Sequence, residues 1–155
     1  MKLYTSCYSN FSKFPSSWLC IGISRYTPKE FCTTDIHNYL YTPNNILAPS
    51  KELLGDIKNG RINQEEYTKR YFEELGVRIR SLGYSNSNEY FATMISEFSK
   101  EPWEAIVFLC YEKPNEFCHR HLLSALMRKN GLDIQEWHPQ SKVQSKEDLT
   151  ISALF

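Results

Sequence analysis

Two thiols, a carboxylate, an imidazole and a guanidinium fall within one short stretch, Cys110, Glu112, Cys118, His119 and Arg120. Cys110 and Glu112 close an apolar run that begins at Ala105. Cys118, His119 and Arg120 open a second run, HLLSALMRKNG, whose apolar residues repeat at helical spacing. A helix start carries unpaired N–H groups and partial positive charge, which favours a thiolate at Cys118 and, with Arg120, an anion beside it. Glu112 is placed to move a proton or to steady a positive centre. Glu112, Cys118 and His119 are therefore the candidate catalytic residues, and Cys110 and Arg120 the candidate ligand contacts. Each has a plainer role open to it: Cys110 as a small buried hydrophobe, His119 as a partner of Glu116, Arg120 as a clamp on loop carbonyls. His121 is expected at the surface.

A metal is not expected. Cys110, Cys118 and His119 could supply three zinc ligands, with Cys7 or Glu112 as a fourth, but the spacing lacks the compact CxxC pair of a closed structural site. No cofactor is expected either, because the chain has no GxGxxG, Walker A or GxSxG motif. A phosphatase loop is absent too, since Cys110 lies too far from Arg120 and Cys118 too near.

The elements that must position these groups follow from the pattern. Ala105–Cys110 is a buried strand, with earlier strands at Lys2–Thr5 and at Trp18–Ser24, where WLCIGIS reads as covered on both faces. Ser6–Ser17 reads as a loop. Arg25–Pro49, broken by three prolines, has no clear period, and its Tyr26, Phe31, Tyr39 and Tyr41 are expected to pack onto the sheet. Ser50 caps a helix over Lys51–Asn59, and Asn63 caps a longer one that Gly83 ends and that Gly76 could kink. Further helices span Glu89–Ser99 and Phe117–Asn130, and a last strand spans Asp133–Trp137. Strand, helix and strand at this spacing predict a right-handed crossover and a parallel sheet. The fold class is α/β, a three-layer Rossmann-like parallel sheet with helices on both faces. All of residues 1–155 form one domain, with 139–148 mobile and 149–155 a C-terminal tail that docks back.

Lys plus Arg and Asp plus Glu both number 18. The zero net charge argues against a nonspecific nucleic-acid binder, leaves room for a local basic patch, and is compatible with a homodimer. Five cysteines cannot all pair, and no run approaches the ~20 apolar residues of a membrane span. A cytoplasmic setting with reduced thiols and no membrane partner is expected.

The run FLCYEKPNEFCHRHLLSALMRKNG resembles the C-terminal signature of the domain of unknown function 488 family, an apolar strand, Cys-x-Glu, a loop, then Cys-His-Arg and an apolar helix. Cys110, Glu112, Cys118, His119 and Arg120 match it position by position. LYTSCYSN is similar to the family's opening strand and turn; Ser9 and Asn10 match, whereas Cys7 and Tyr8 stand where Gly and His are usual. Arg25 in IGISRYTP matches an Arg that ends a family strand. The resemblance implies a pocket above a parallel sheet, to which strand ends deliver Ser9 and Asn10, Arg25, and Cys110 with Glu112. The last helix adds Cys118, His119 and Arg120.

Such a pocket suits an enzyme acting on a nucleoside, a nucleotide or a base in nucleic acid, at a glycosidic or phosphate bond. The alternative is a module that binds a nucleotide-derived ligand or modified base without chemistry, which the loss of the family His at Tyr8 favours. A third reading is thiol chemistry, with Cys110 or Cys118 as nucleophile or redox sensor.

Overall fold

The computed structural model describes residues 1–32, 39–40, 46–113 and 115–139. The expected tail, 149–155, and the expected mobile segment 139–148 beyond residue 139 lie outside them, as do Tyr41 and the side chain of Tyr39. Five parallel strands form one sheet in the order β3-β2-β4-β1-β5: β1 Lys2–Cys7, β2 Trp18–Gly22, β3 Tyr39–Leu40, β4 Ala105–Cys110 and β5 Ile134–Glu136. The helices are α1 Lys29–Cys32, α2 Lys51–Lys58, α3 Gln64–Ser81, α4 Ser87–Phe98 and α5 His119–Lys129.

β4 is central because its sequence tolerates no water on either face. All six of its residues are buried, and β1 and β2 flank it in register, Cys7 opposite Cys110 and Gly22 opposite Leu109. Its side chains alternate between two cores. Ile106, Phe108 and Cys110 join Leu3 and Leu19 against α2 to α5, where Tyr71, Leu75, Phe91, Leu123 and Met127 are buried. Val107 and Leu109 face the other way, onto Tyr8, Phe14 and Cys20, with Phe11, Trp18, Phe31 and Trp137 packed around them. The three-layer α/β arrangement is thus unequal: the four longer helices cover one face, and aromatic rings from α1 and a short 3-10 helix cover the other.

That 3-10 helix, Tyr8–Lys13, occupies half of the span expected as a loop. Tyr8, Phe11 and Phe14 recur every third residue, which is the 3-10 period, and all three enter the aromatic layer. The caps follow expectation: Ser50 Oγ accepts from Leu53 N at 3.1 Å and Asn63 Oδ1 from Glu66 N at 2.8 Å. α3 runs unbroken through Gly76. Gly131, with φ of 86°, closes α5 in the left-handed conformation that glycine adopts without strain. Tyr26 does not pack down; it is 52% exposed.

Arg120 is the largest fully buried side chain. Its Nη2 donates to Glu136 Oε1 on β5 at 2.9 Å, its Nε to the same carboxylate at 3.2 Å, and its Nη1 to the backbone carbonyl of Glu112. Glu136 also accepts from Thr5 Oγ1 on β1. One guanidinium therefore ties α5, β5 and the loop after β4 together. Removing one partner of a buried ion pair strands the other charge, at a cost of about 3–5 kcal/mol. Glu136→Gln is expected to lower the unfolding free energy by about 3 kcal/mol in urea titrations, and Arg120→Met with Glu136→Leu to recover much of that loss. A change under about 0.5 kcal/mol for Glu136→Gln, the range of ordinary surface substitutions, would show that the clamp carries no stability.

Candidate functional site

Ligands of open α/β sheets bind beyond the carboxyl ends of the strands. In this chain, a cavity of ≈ 260 Å³ opens beyond β2 and β4. Its walls come from the turn after β2 (Ser24, Arg25, Tyr26), the end of β4 and its loop (Cys110, Tyr111, Glu112), and the start of α5 (Cys118, His119). Side chains of α2 and α3, among them Lys58 and Tyr67, close it.

α5 begins where it does because Cys118 takes extended backbone angles and accepts from Arg120 N through its sulfur at 3.5 Å, a side-chain N-cap. His119 follows on the first turn, 5% exposed, and packs on the ring of Tyr71 with centroids 5.6 Å apart. Its Nε2 lies 2.7 Å from the carbonyl of Ile23. A carbonyl only accepts, so Nε2 bears the proton and, in the neutral ring, Nδ1 is left bare. That Nδ1 sits 3.8 Å from both Cys110 Sγ and Cys118 Sγ.

The Cys110 thiol donates to the Glu112 carboxylate at 3.2 Å and lies beside the Cys118 sulfur, within 4.8 Å of it. The Cys110 thiol beside it is the main force lowering Cys118 to about 6, against the opposing effect of burial. Cys110 is correspondingly raised, because its proton is held by Cys118 and burial disfavours its charge. Burial also works against the Glu112 carboxylate, yet the thiol and backbone donors around it bring it below its ordinary value. The result is a wall of one thiolate, one carboxylate and one oriented imidazole. Such a wall can attack, exchange protons or, through its soft donors, hold a metal.

Of the residues singled out by sequence, Arg25, Cys110, Glu112, Cys118 and His119 meet at the cavity, and three do not. Arg120 is corrected from ligand contact to structural clamp: its side chain is fully buried and its donors are committed to Glu136 and the Glu112 carbonyl. Ser9 and Asn10 also lie outside the cavity lining. The 3-10 helix carries them onto the aromatic face, where Asn10 donates to Ser6 Oγ and Cys7 Sγ, and Ser9 pairs with Cys7. Tyr8, at the position where the family resemblance has a His, lies outside the cavity lining and reaches it through Ser24, its hydroxyl 2.8 Å from Ser24 Oγ, and through the ring of Tyr111, centroids 5.1 Å apart. Lys58 and Tyr67 were not expected in the site. Lys58 resembles any basic residue in a helix's last turn, and Tyr67 any apolar-face tyrosine.

A family model described as the active DUF488-N3 subclade matches residues 4–131. No curated protein and no solved structure matches the chain.

Because Cys118 is lowered to about 6, its thiolate is present above that pH and lost below it. In chelator-treated protein, iodoacetamide labelling of Cys118 is expected to rise through about pH 6 and flatten by about pH 7, with Cys110 unlabelled throughout. Peptide mapping by mass spectrometry reads both sites. A rate still climbing at about pH 8.5, as for an ordinary thiol, would sink the assignment.

Proposed function

The chain belongs to the active DUF488-N3 subclade of the DUF488 family, and from that premise we propose that the cavity is an active site for a nucleoside- or nucleotide-like substrate, cleaved at a glycosidic or phosphate bond. The observation that carries this reading is the meeting of three kinds of surface in one cavity: the polar wall of Glu112, Cys118 and His119, the cations Arg25 and Lys58, and the rings of Tyr26, Tyr67, Tyr111 and Phe117. The rings suit a planar base, and the cations suit an anionic group. Glu112 is the acid–base group, because its carboxylate is held ionised beside hydrogen-bond donors at the cavity wall. At ≈ 260 Å³ the cavity lies just below the usual range of ligand sites, which begins at about 300 Å³, so one base or nucleoside fills it. The unpaired state of Cys7, Cys20, Cys110 and Cys118 suits a reducing compartment such as the cytoplasm.

A second reading has one observation in its favour, the Cys118 thiolate at a helix start beside His119 Nδ1. Cys118 would then attack the substrate itself, with His119 as its proton partner.

Purified protein is expected to turn over at least one member of a panel of nucleosides, nucleotides and short single strands, followed by chromatography of free base and phosphate. Glu112→Gln is expected to lower kcat by about 10²–10⁴ with KM little changed. Arg25→Ala is expected to raise KM for an anionic substrate by about tenfold, the loss of one charge-assisted hydrogen bond. A ligand that raises Tm yet is recovered intact would assign binding without chemistry, and turnover unaffected by Glu112→Gln would remove the mechanism.

A further inference from the structure

Among the described residues, Cys110, Cys118 and His119 place two sulfurs and a ring nitrogen within 4.8 Å of one another, all three side chains buried. A tetrahedral zinc ion with bonds of about 2.3 Å to sulfur and about 2.0 Å to nitrogen holds each sulfur about 3.5 Å from the nitrogen and the two sulfurs about 3.8 Å apart. Here each sulfur lies 3.8 Å from His119 Nδ1, a difference that small side-chain rotations close.

The surroundings match a metal centre in two further ways. A histidine that ligates a metal hands its other ring proton to a fixed acceptor, commonly a backbone carbonyl; His119 Nε2 does so to Ile23 at 2.7 Å. The bare nitrogen is therefore the one aimed at the sulfurs. The trio also lines the cavity together with Glu112, so three protein ligands leave a fourth position facing the ligand space. Three ligands and one open position are the pattern of a catalytic zinc site, whereas structural sites close with four. Zinc binding breaks the Cys110 S–H bond and releases its proton to solvent, and the resulting two thiolates and one imidazole form a donor set that suits zinc over harder ions such as magnesium or calcium.

We propose that Cys110, Cys118 and His119 bind one zinc ion whose open position faces the cavity beside Glu112. A water in that position becomes acidic on the ion. Its O–H bond breaks, the proton passes to Glu112, and hydroxide remains on the metal facing the ligand. The assignment stands on side-chain geometry and goes beyond the substrate reading, so either can fail alone. It excludes Cys118 as a direct nucleophile, because its sulfur is then a ligand.

The test is the metal content of full-length protein purified without chelators under reducing conditions, read by plasma mass spectrometry after incubation with zinc and desalting. About one zinc per chain is expected, with cobalt in its place giving the sulfur-to-metal charge-transfer and tetrahedral ligand-field bands of a thiolate site. Cys110→Ser and Cys118→Ser are each expected to cut retained zinc by ~10-fold or more, and Cys7→Ser to leave it unchanged. Zinc is also expected to block iodoacetamide labelling of Cys118. Wild-type protein that retains less than about a tenth of an equivalent, or zinc that survives loss of both cysteines, would overturn the site. Zinc bound without turnover of any panel member counts against the substrate reading alone, and full turnover by metal-free protein counts against zinc alone.

Discussion

The buried guanidinium of Arg120 is the constraint on which the site depends. A charge with no access to water must find its partners within the chain. Arg120 finds them on β5, through Glu136, and on the backbone of the loop after β4, through the Glu112 carbonyl. Holding that carbonyl fixes the loop by its main chain, and leaves the Glu112 carboxylate to meet the Cys110 thiol at the cavity wall. The same residue lies two positions beyond Cys118, so the clamp also fixes where α5 begins and the direction from which His119 enters.

The polar wall is a set of mutually dependent protonation states. His119 Nδ1 is bare because Nε2 is committed to the Ile23 carbonyl. Cys118 can carry a negative charge, although buried, because the Cys110 thiol and the Arg120 backbone N–H face it. Cys110 stays protonated because its neighbours on both sides are anionic acceptors. In a medium of low effective dielectric these couplings are stronger than at a surface.

The strand-to-helix block from Ala105 to Gly131 was legible in the sequence because each of its signals is local. β4 is an unbroken apolar run, α5 has one apolar stripe, and Gly131 stops it. The same holds for the caps at Ser50 and Asn63, where one side chain meets an N–H three residues on. Cys110, Glu112, Cys118 and His119 reach the cavity because they sit where a parallel strand must end and its helix must start. Arg120 was misplaced because its partner, Glu136, lies on a different strand, and nothing near Arg120 marks it as inward. Ser9 and Asn10 were misplaced because the chain after β1 winds into a 3-10 helix. Its three-residue repeat of Tyr8, Phe11 and Phe14 is a weaker pattern than a strand's or an α-helix's, and it turns the polar residues onto the far face. Lys58 and Tyr67 reach the site only through the packing of α2 and α3 on the sheet, which sequence spacing does not encode.

The charge balance bears on how a base would arrive. A protein that holds a nucleic acid by its backbone neutralises many phosphates at once, and its affinity comes from an array of cations. This chain carries equal numbers of acidic and basic residues, and among the described residues Arg25 and Lys58 are the Lys and Arg side chains in the cavity lining. A base extruded from a duplex would also have to offset its own unstacking, a few kcal/mol that backbone contacts normally help supply. A free nucleoside or single nucleotide carries no such debt. It needs one planar contact and at most a few charges, which is what rings such as Tyr67 and Tyr111 and two cations around a small cavity provide. The same geometry that makes the site chemically dense therefore favours the smaller of the substrates compatible with it.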